Sequence, residues 1–285
     1  CVNNPIVQLL VTSTYLPECP TPKRTQQVVL EDIPAYVLNL DGMESRFEDV
    51  RERFGQHGLK LNRFSALRGI ARPEYNMTAG EVGYLNSMAA VMRMAIDKNL
   101  ERVLVFDDDA VPHCEFREKF LDLVEGDRRC GGYQFTDSQG GFLLLGSSVW
   151  TMGSYPKTMW GGWNIIDAEI RNVTEKVRGA QPKCYNAHDK SLGSFAVLYH
   201  RNVFEPILDL LTTRPDLRFD WLWFELGRLG YIGRAAYPSL VIQDVRHESQ
   251  VDPSRNSQSD ISKRAKTHRW DLSTFCGANG EKIFA

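Results

Sequence analysis

Three consecutive aspartates, Asp107-Asp108-Asp109, stand directly behind the apolar run Arg102-Val103-Leu104-Val105-Phe106. Val103 to Phe106 reads as a buried strand. Adjacent carboxylates at its end repel one another and are stable there chiefly when a cation shares their charge. Alternate side chains of an extended segment share a face, which aims Asp107 and Asp109 the same way, about 7 Å apart at ~3.3 Å per residue. A divalent ion held by a diphosphate could bridge that gap. Mg²⁺ or Mn²⁺ suits it, because both take oxygen ligands and keep sites for phosphate and water. The plain alternative is an acidic loop start with no ligand.

The flanking segments supply the elements that must position these acids. Ala35-Tyr36-Val37-Leu38-Asn39-Leu40-Asp41 is a strand ending in a polar turn. Phe47, Val50 and Phe54 follow at helical spacing, with Arg46, Arg51 and Arg53 between them. Thr78-Ala79-Gly80-Glu81 has the Thr and Glu of a capping box. It opens a helix with Val82, Leu85, Ala89, Met92 and Ile96 on one face. The order is strand, helix, strand, helix, strand, acidic turn. Such alternation predicts an α/β fold with a mostly parallel sheet flanked by helices, and ligands beyond the C-terminal strand ends.

Beyond the triplet, residues 115–125 read as a helix, 126–141 as a loop and 142–145 as a strand. Residues 151–191 are broken by Gly and Pro and carry Trp163, a plausible sugar-facing ring. Residues 194–199 read as a strand, 201–211 and 219–229 as helices, and Pro238 to Gln243 as a late strand. Residues 1–34 read as an irregular lead-in, 35–250 as one domain with halves over 35–125 and 142–250, and 251–285 as a C-terminal wrap or tail.

In this order the segments resemble the family 25 glycosyltransferases, which include lipooligosaccharide and procollagen galactosyltransferases. Val37-Leu38-Asn39-Leu40-Asp41 with Arg46 is similar to their opening strand, and Phe64-Ser65-Ala66-Leu67-Arg68-Gly69 to their next turn. Thr78 to Ser87 resembles their Gly-Glu-Ile-Gly helix start. Val105-Phe106-Asp107-Asp108-Asp109-Ala110 resembles their metal motif, and Gly193-Ser194-Phe195-Ala196-Val197 a later strand. The chain departs from the pattern at Arg68, where an acid is usual, and at Asp107, where Glu is usual.

The resemblance implies a GT-A type, Rossmann-like domain that transfers a hexose from a nucleotide diphosphate sugar, UDP-linked, to a glycan or glycoprotein hydroxyl with inversion. It implies Mn²⁺, or Mg²⁺, on Asp107 and Asp109, with His247 after the late strand able to complete the shell. Asn39, Leu40, Asp41, Arg46, Arg68, Glu81, Asn86, Asp107 and Asp108 would then face the nucleotide sugar, although Glu81 could serve only as its own helix cap. Asp220 falls where the family has an acid and opens the aromatic stretch Trp221-Leu222-Trp223-Phe224-Glu225. A carboxylate beside aromatic rings can have a raised pKa and serve as general base toward a hydroxyl, while Asp also suits a helix N-cap. Glu225 is the second candidate base. Trp163, His188, Asp189 and Trp221 are the candidate acceptor contacts. The competing readings are a non-catalytic relative acting in binding or adhesion, which three intact aspartates disfavour, and a phosphohydrolase, whose ordered Asp nucleophile, Lys and acid pair are not found.

Composition bounds the partners and the compartment. With 34 Lys+Arg against 36 Asp+Glu and only short basic runs, nothing suggests a nucleic-acid surface. No apolar stretch reaches the ~18–20 residues of a membrane span, so a membrane role would need an anchor upstream of Cys1. The 6 cysteines have no C-x-x-C pair, which disfavours zinc and fits disulfides in an oxidising compartment. Cys1–Cys19 and Cys114–Cys130 are the local pairings to expect. Asn76-Met77-Thr78 and Asn172-Val173-Thr174 are glycosylation sequons, and with the cysteines they point to the lumen of the secretory pathway, Golgi or ER.

Overall fold

A computed structural model describes residues 29–126, 140–149, 182–187, 191–246, 249–251, 261–262, 265 and 270–284. Its centre is a seven-stranded sheet in the order β2-β1-β3-β7-β5-β8-β6. The strands are β1 (Ala35–Leu40), β2 (Leu61–Ala66), β3 (Arg102–Asp107), β5 (Phe142–Val149), β6 (Lys183–Asn186), β7 (Ser191–His200) and β8 (Gly233–Tyr237). Short β4 (Ala110–Pro112) and β9 (Val241–Gln243) pair antiparallel beside it. β6 and β7 run against the other sheet strands, while β1 pairs parallel with β2 and β3, and β5 with β8. The expected α/β sheet is therefore present and mostly parallel in direction. β3 lies inside it, with the aspartates at its C-terminal end.

Alternation along the strands builds two separate cores. Leu104 and Phe106 of β3, with Ala35 and Val37 of β1, face α1 (Glu44–Gly55) and α3 (Phe116–Gly126). Phe54 of α1 packs on Phe106 with ring centroids 4.5 Å apart. Val103 and Val105 face the other way, toward α2 (Ala79–Asp97), α4 (Phe204–Thr213) and α5 (Leu222–Arg228). Trp223 is wholly buried there, against Phe142 at 4.6 Å and Phe219 at 5.5 Å. Apolar burial of this kind contributes about 25 cal/mol per Å². It fixes which layer each residue at a strand end can reach.

α2 begins as the sequence predicts. Thr78 Oγ1 accepts from the Glu81 amide and Glu81 Oε2 accepts from the Thr78 amide, closing the capping box. A Cβ on Gly69 would lie 2.3 Å from the Gly83 nitrogen, and one on Gly83 2.5 Å from the Leu67 oxygen. Two glycines thus let the β2–α2 connection lie directly on the first turns of α2.

Several boundaries differ from expectation. The late strand begins at Val241 rather than Pro238, because proline lacks the amide a ladder needs. β6 and β8 are too short and too mixed in composition to stand out by periodicity. Both helices beyond β7 open with 3-10 turns, at Arg201–Val203 and Phe219–Trp221. Leu30 and Ile33 are buried, so the lead-in joins the core before residue 35. No helix among the described residues is long and apolar enough to cross a membrane.

The expected Cys114–Cys130 pairing is not formed: Cys114 is bonded to Cys276. The backbone brings them together, since the Cys114 amide donates to the Thr274 carbonyl and the Cys276 amide to the Pro112 carbonyl. Cys184 is also disulfide-bonded. Trp270, Phe275 and Cys276 are buried, so residues 270–284 wrap the core rather than trail from it. The bridge spans 162 residues of sequence, and a cross-link over a loop of that order is worth about 2–5 kcal/mol. Replacing both Cys114 and Cys276 with Ser should lower stability by that amount, read as the free energy from urea unfolding. An unchanged value would mean that packing alone holds the wrap.

Candidate active site

The C-terminal ends of β1, β2 and β3 and the start of antiparallel β7 meet at one edge of the sheet. Phe106 pairs with Ala196, which places Gly193 and Ser194 next to the aspartates. The end of β3 then divides the triplet. Phe106 faces the α1 layer, so Asp107, the last residue of β3, turns to the α2 layer, while Asp108 and Asp109 lie in the turn that follows.

Asp108 is bound where it points. Asn39 Nδ2 donates to its Oδ2 at 2.9 Å, and Arg46 donates to its Oδ1 at 3.3 Å. Asn39 is 1% exposed; it also donates to the Met43 carbonyl and accepts from Arg63 Nε at 2.7 Å. Asn39 and Arg46, expected to face the nucleotide, are thus engaged with Asp108.

Asp107 is in a different situation. Its Oδ1 is buried with no hydrogen-bond partner among the described residues. Burial pushes its carboxyl well above the ordinary carboxylate range, and Asp109 and then Asp108 push it further; the Tyr84 hydroxyl opposes them by hydrogen bonding, and Asp220 adds to the rise. Asp109 is thus close enough to act on Asp107. Its carbonyl accepts from the Asp244 amide at 2.7 Å. Asp244 is fully buried and is held by Arg53 and Arg246.

Asp220 reaches the same edge. Its Oδ1 accepts from the Gly193 amide at 3.0 Å, at a glycine with φ +88, a conformation that favours Gly. The carboxylate therefore fastens to β7 and makes no side-chain cap to its own helix. Tyr84 is within electrostatic reach of Asp107 and Asp220. Its Oη is 2.6 Å from Ser194 Oγ and its ring packs edge-on to Phe219 at 5.0 Å. Burial, and next Asp107, hold the Tyr84 phenol well above its ordinary range, so it stays protonated.

The other expected site residues are spread more widely. Asp41 is exposed and accepts from Ser65 and Arg63, both at 2.7 Å. Hydrogen bonds from Ser65 and then Arg63 lower its pKa. Leu40 ends β1 beside it, and Arg68 reaches the Asp41 carbonyl at 3.5 Å. The Glu81 carboxylate is taken up by its capping box, with Arg218 3.8 Å away. Asn86 is exposed on α2. Glu225 pairs with Arg214 and Arg228. Trp221 is 41% exposed just beyond Asp220. Trp163, His188, Asp189 and His247 lie outside the described residues.

Among the described residues, no group of three or more His, Cys, Asp or Glu side chains forms a metal-ligating set. A two-carboxylate site is compatible with that, because Mg²⁺-type ions are held by one or two carboxylates together with substrate phosphates and water. The buried, unsatisfied Asp107 Oδ1 beside Asp109 fits such an ion. Tyr84, Ser194 and Asp244 were not among the sequence candidates. Tyr84 alone left a trace, one turn after the capping Glu81 on the side that α2 presents to β3.

No protein-family model and no curated protein matches the chain. Among solved structures, the crystal structure of a glycosyltransferase involved in the glycosylation of the major capsid of PBCV-1 is similar over 80% of this chain and 99% of that chain, at 10% identity and a TM-score of 0.40.

The division of the triplet predicts opposite stability effects. Asp108→Ala removes charged hydrogen bonds and should cost about 1.5–3 kcal/mol. Asp107→Asn relieves burial and repulsion and should stabilise the cation-free protein at neutral pH. A carboxyl whose folded pKa is raised destabilises only once it ionises, so stability falls as pH climbs from the unfolded value of 3.8 through the raised folded value. The advantage of Asp107→Asn should therefore shrink as pH is lowered toward 3.8. Urea unfolding of both variants in EDTA across pH checks this, and an Asp107→Asn less stable than wild type throughout would contradict it.

Proposed function

We propose that this chain is a glycosyltransferase that uses Mn²⁺ or Mg²⁺ to move a hexose from a UDP-linked donor to a hydroxyl of a glycan or glycoprotein. The observation that carries the reading is the acidic cluster at the sheet edge: Asp107, with its buried unsatisfied oxygen, beside Asp109 and within electrostatic reach of Asp220. A carboxylate kept in such a place calls for a cation, and cations at the C-terminal strand edge of an α/β sheet commonly accompany phosphate ligands. The ordered sequence motifs supply the sugar chemistry.

In this reading Asp107 and Asp109 hold the ion, and the donor diphosphate and water complete its shell. The ion would offset the negative charge that builds on the departing diphosphate. Asp108 binds neither; clamped by Asn39 and Arg46, it fixes the turn that presents its neighbours. Asp41, Ser65, Arg63 and Arg68 form the polar rim at the ends of β1 and β2 on which a nucleoside would rest. Asp220, oriented by the Gly193 amide, takes the proton of the acceptor hydroxyl as that oxygen bonds to the anomeric carbon and the bond to the diphosphate breaks. One displacement of this kind inverts the anomeric centre. Trp221, exposed beside Asp220, offers a ring for the acceptor sugar. The Cys114–Cys276 disulfide supports a place in the secretory-pathway lumen.

Transfer and donor hydrolysis measured over a panel of nucleotide sugars, with Mn²⁺ or with EDTA, test the reading. Asp109→Ala should lose most activity while melting as a folded protein; full turnover by that variant, or by wild type in excess EDTA, would contradict the cation.

Asp220→Asn keeps an acceptor for the Gly193 amide but loses the base. It should bind donor normally and transfer at least ~100-fold more slowly, within the ~10²–10⁴ range of a positioned base. A near-wild-type rate would remove Asp220 from the chemistry.

A further inference from the structure

Two arginines of α1, Arg46 and Arg53, lie two helical turns apart and are both nearly buried. They therefore share a face, about 10 Å from each other along the axis. Arg46 donates to Asp108. Arg53 donates to Oδ2 of Asp244 at 3.2 Å. Asp244 directly follows β9, and the pairing of Ala110 with Gln243 in the β4–β9 ladder sets it opposite Asp109. Its amide donates to the Asp109 carbonyl at 2.7 Å. Its wholly buried carboxylate is also forked by Arg246, Nε to Oδ1 and Nη2 to Oδ2, both at 2.8 Å. Arg246 is braced in turn by the Ile283 carbonyl at 3.3 Å and by the Phe284 ring, whose centroid is 5.3 Å from the guanidinium.

We propose that Asp244, clamped between Arg53 and Arg246, is a positioning residue that holds Asp109 where it can bind the divalent ion. Asp109 lies in the turn beyond β3. One face of α1 brackets that turn: Arg46 grips Asp108 directly, and Arg53 reaches Asp109 through Asp244. A buried carboxylate between two guanidiniums carries a large desolvation cost, and apolar side chains would fasten the C-terminal wrap equally well. They would not fix the direction of the Asp244 amide. The planar fork of Arg246 sets the carboxylate, and with it the backbone that meets Asp109. The inference rests on the cation reading of Asp109 given above. Outer partners that orient a ligating carboxylate typically change metal affinity or activity by about 10–100-fold when removed.

The test is a titration of Mn²⁺ in the presence of UDP, followed by melting temperature, on wild type, Asp244→Asn, Arg246→Lys and Ile207→Val. Arg246 is half-exposed, and Arg246→Lys keeps the charge while losing the fork. It should fold, yet need about 10–100-fold more Mn²⁺ for the same shift. Asp244→Asn should weaken Mn²⁺ in the same direction. If Asp244→Asn does not fold, Arg246→Lys carries the test alone. Ile207→Val trims the core on the α2 side of the sheet, away from this cluster. It should lower the melting temperature without changing the Mn²⁺ requirement. A wild-type protein that shifts with Mn²⁺ while Arg246→Lys needs no more of it, or while Ile207→Val needs as much more, overturns the positioning role and leaves the cation reading standing. A wild-type protein with no Mn²⁺ shift at all overturns both.

Discussion

Like charge concentrated at the end of β3 is the constraint around which the rest of this fold is arranged. Three successive carboxylates cannot share one environment without large mutual repulsion. The end of the strand separates them. Asp108 is directed into the α1 layer, where a buried Asn39 and a nearly buried Arg46 satisfy it. Asp107 is directed into the α2 layer, where one of its oxygens is buried and unsatisfied. Asp107 closes the strand and Asp108 opens the turn after it, so the two carboxylates leave the chain toward different layers.

The surrounding elements can be understood as supports for that edge. α2 is pinned at its start by the Thr78–Glu81 box and by two glycines that admit the β2–α2 connection, which fixes the height of Tyr84 above the sheet. β7 runs against its neighbours, so its first residues rather than its last reach the aspartates, and that is how Gly193 and Ser194 join the site. On the far side, β9 pairs with β4 immediately after the triplet, and the Asp244 amide holds the Asp109 carbonyl. The Cys114–Cys276 bridge fastens the C-terminal wrap to the end of the same β4. Stability and site geometry are therefore coupled through a few residues on either side of the acids.

What was legible in the sequence was local. Four apolar residues before three acids define β3, and a Thr with a Glu three residues later defines the start of α2. The alternation rule expected Asp107 and Asp109 to share a face; β3 ends at Asp107, and Asp108 and Asp109 lie in the turn beyond it. It did not reveal that Asp108 serves the fold, because its partners Asn39 and Arg46 sit more than 60 residues away. Ser194 was hidden for the same reason, since only an antiparallel β7 between β3 and β5 brings it to the aspartates. The cysteines show how local reasoning fails: Cys130 is near Cys114 in sequence, but the backbone ladder delivers Cys276. Asp220 was found by its position before aromatic residues, while its fastening to Gly193 in place of a helix cap could not be read without the sheet order.

The central claim is that Asp107 and Asp109, and not Asp108, hold a divalent ion at this edge. Anomalous diffraction at the manganese edge from crystals grown with MnCl₂ and UDP tests it most directly. The account predicts one strong peak within ligand distance of Asp107 and Asp109, with the diphosphate on its open side and Asp108 still bound to Asn39 and Arg46. A peak at Asp108 with those two bonds broken, or no manganese at the end of β3 while UDP is bound, would contradict it.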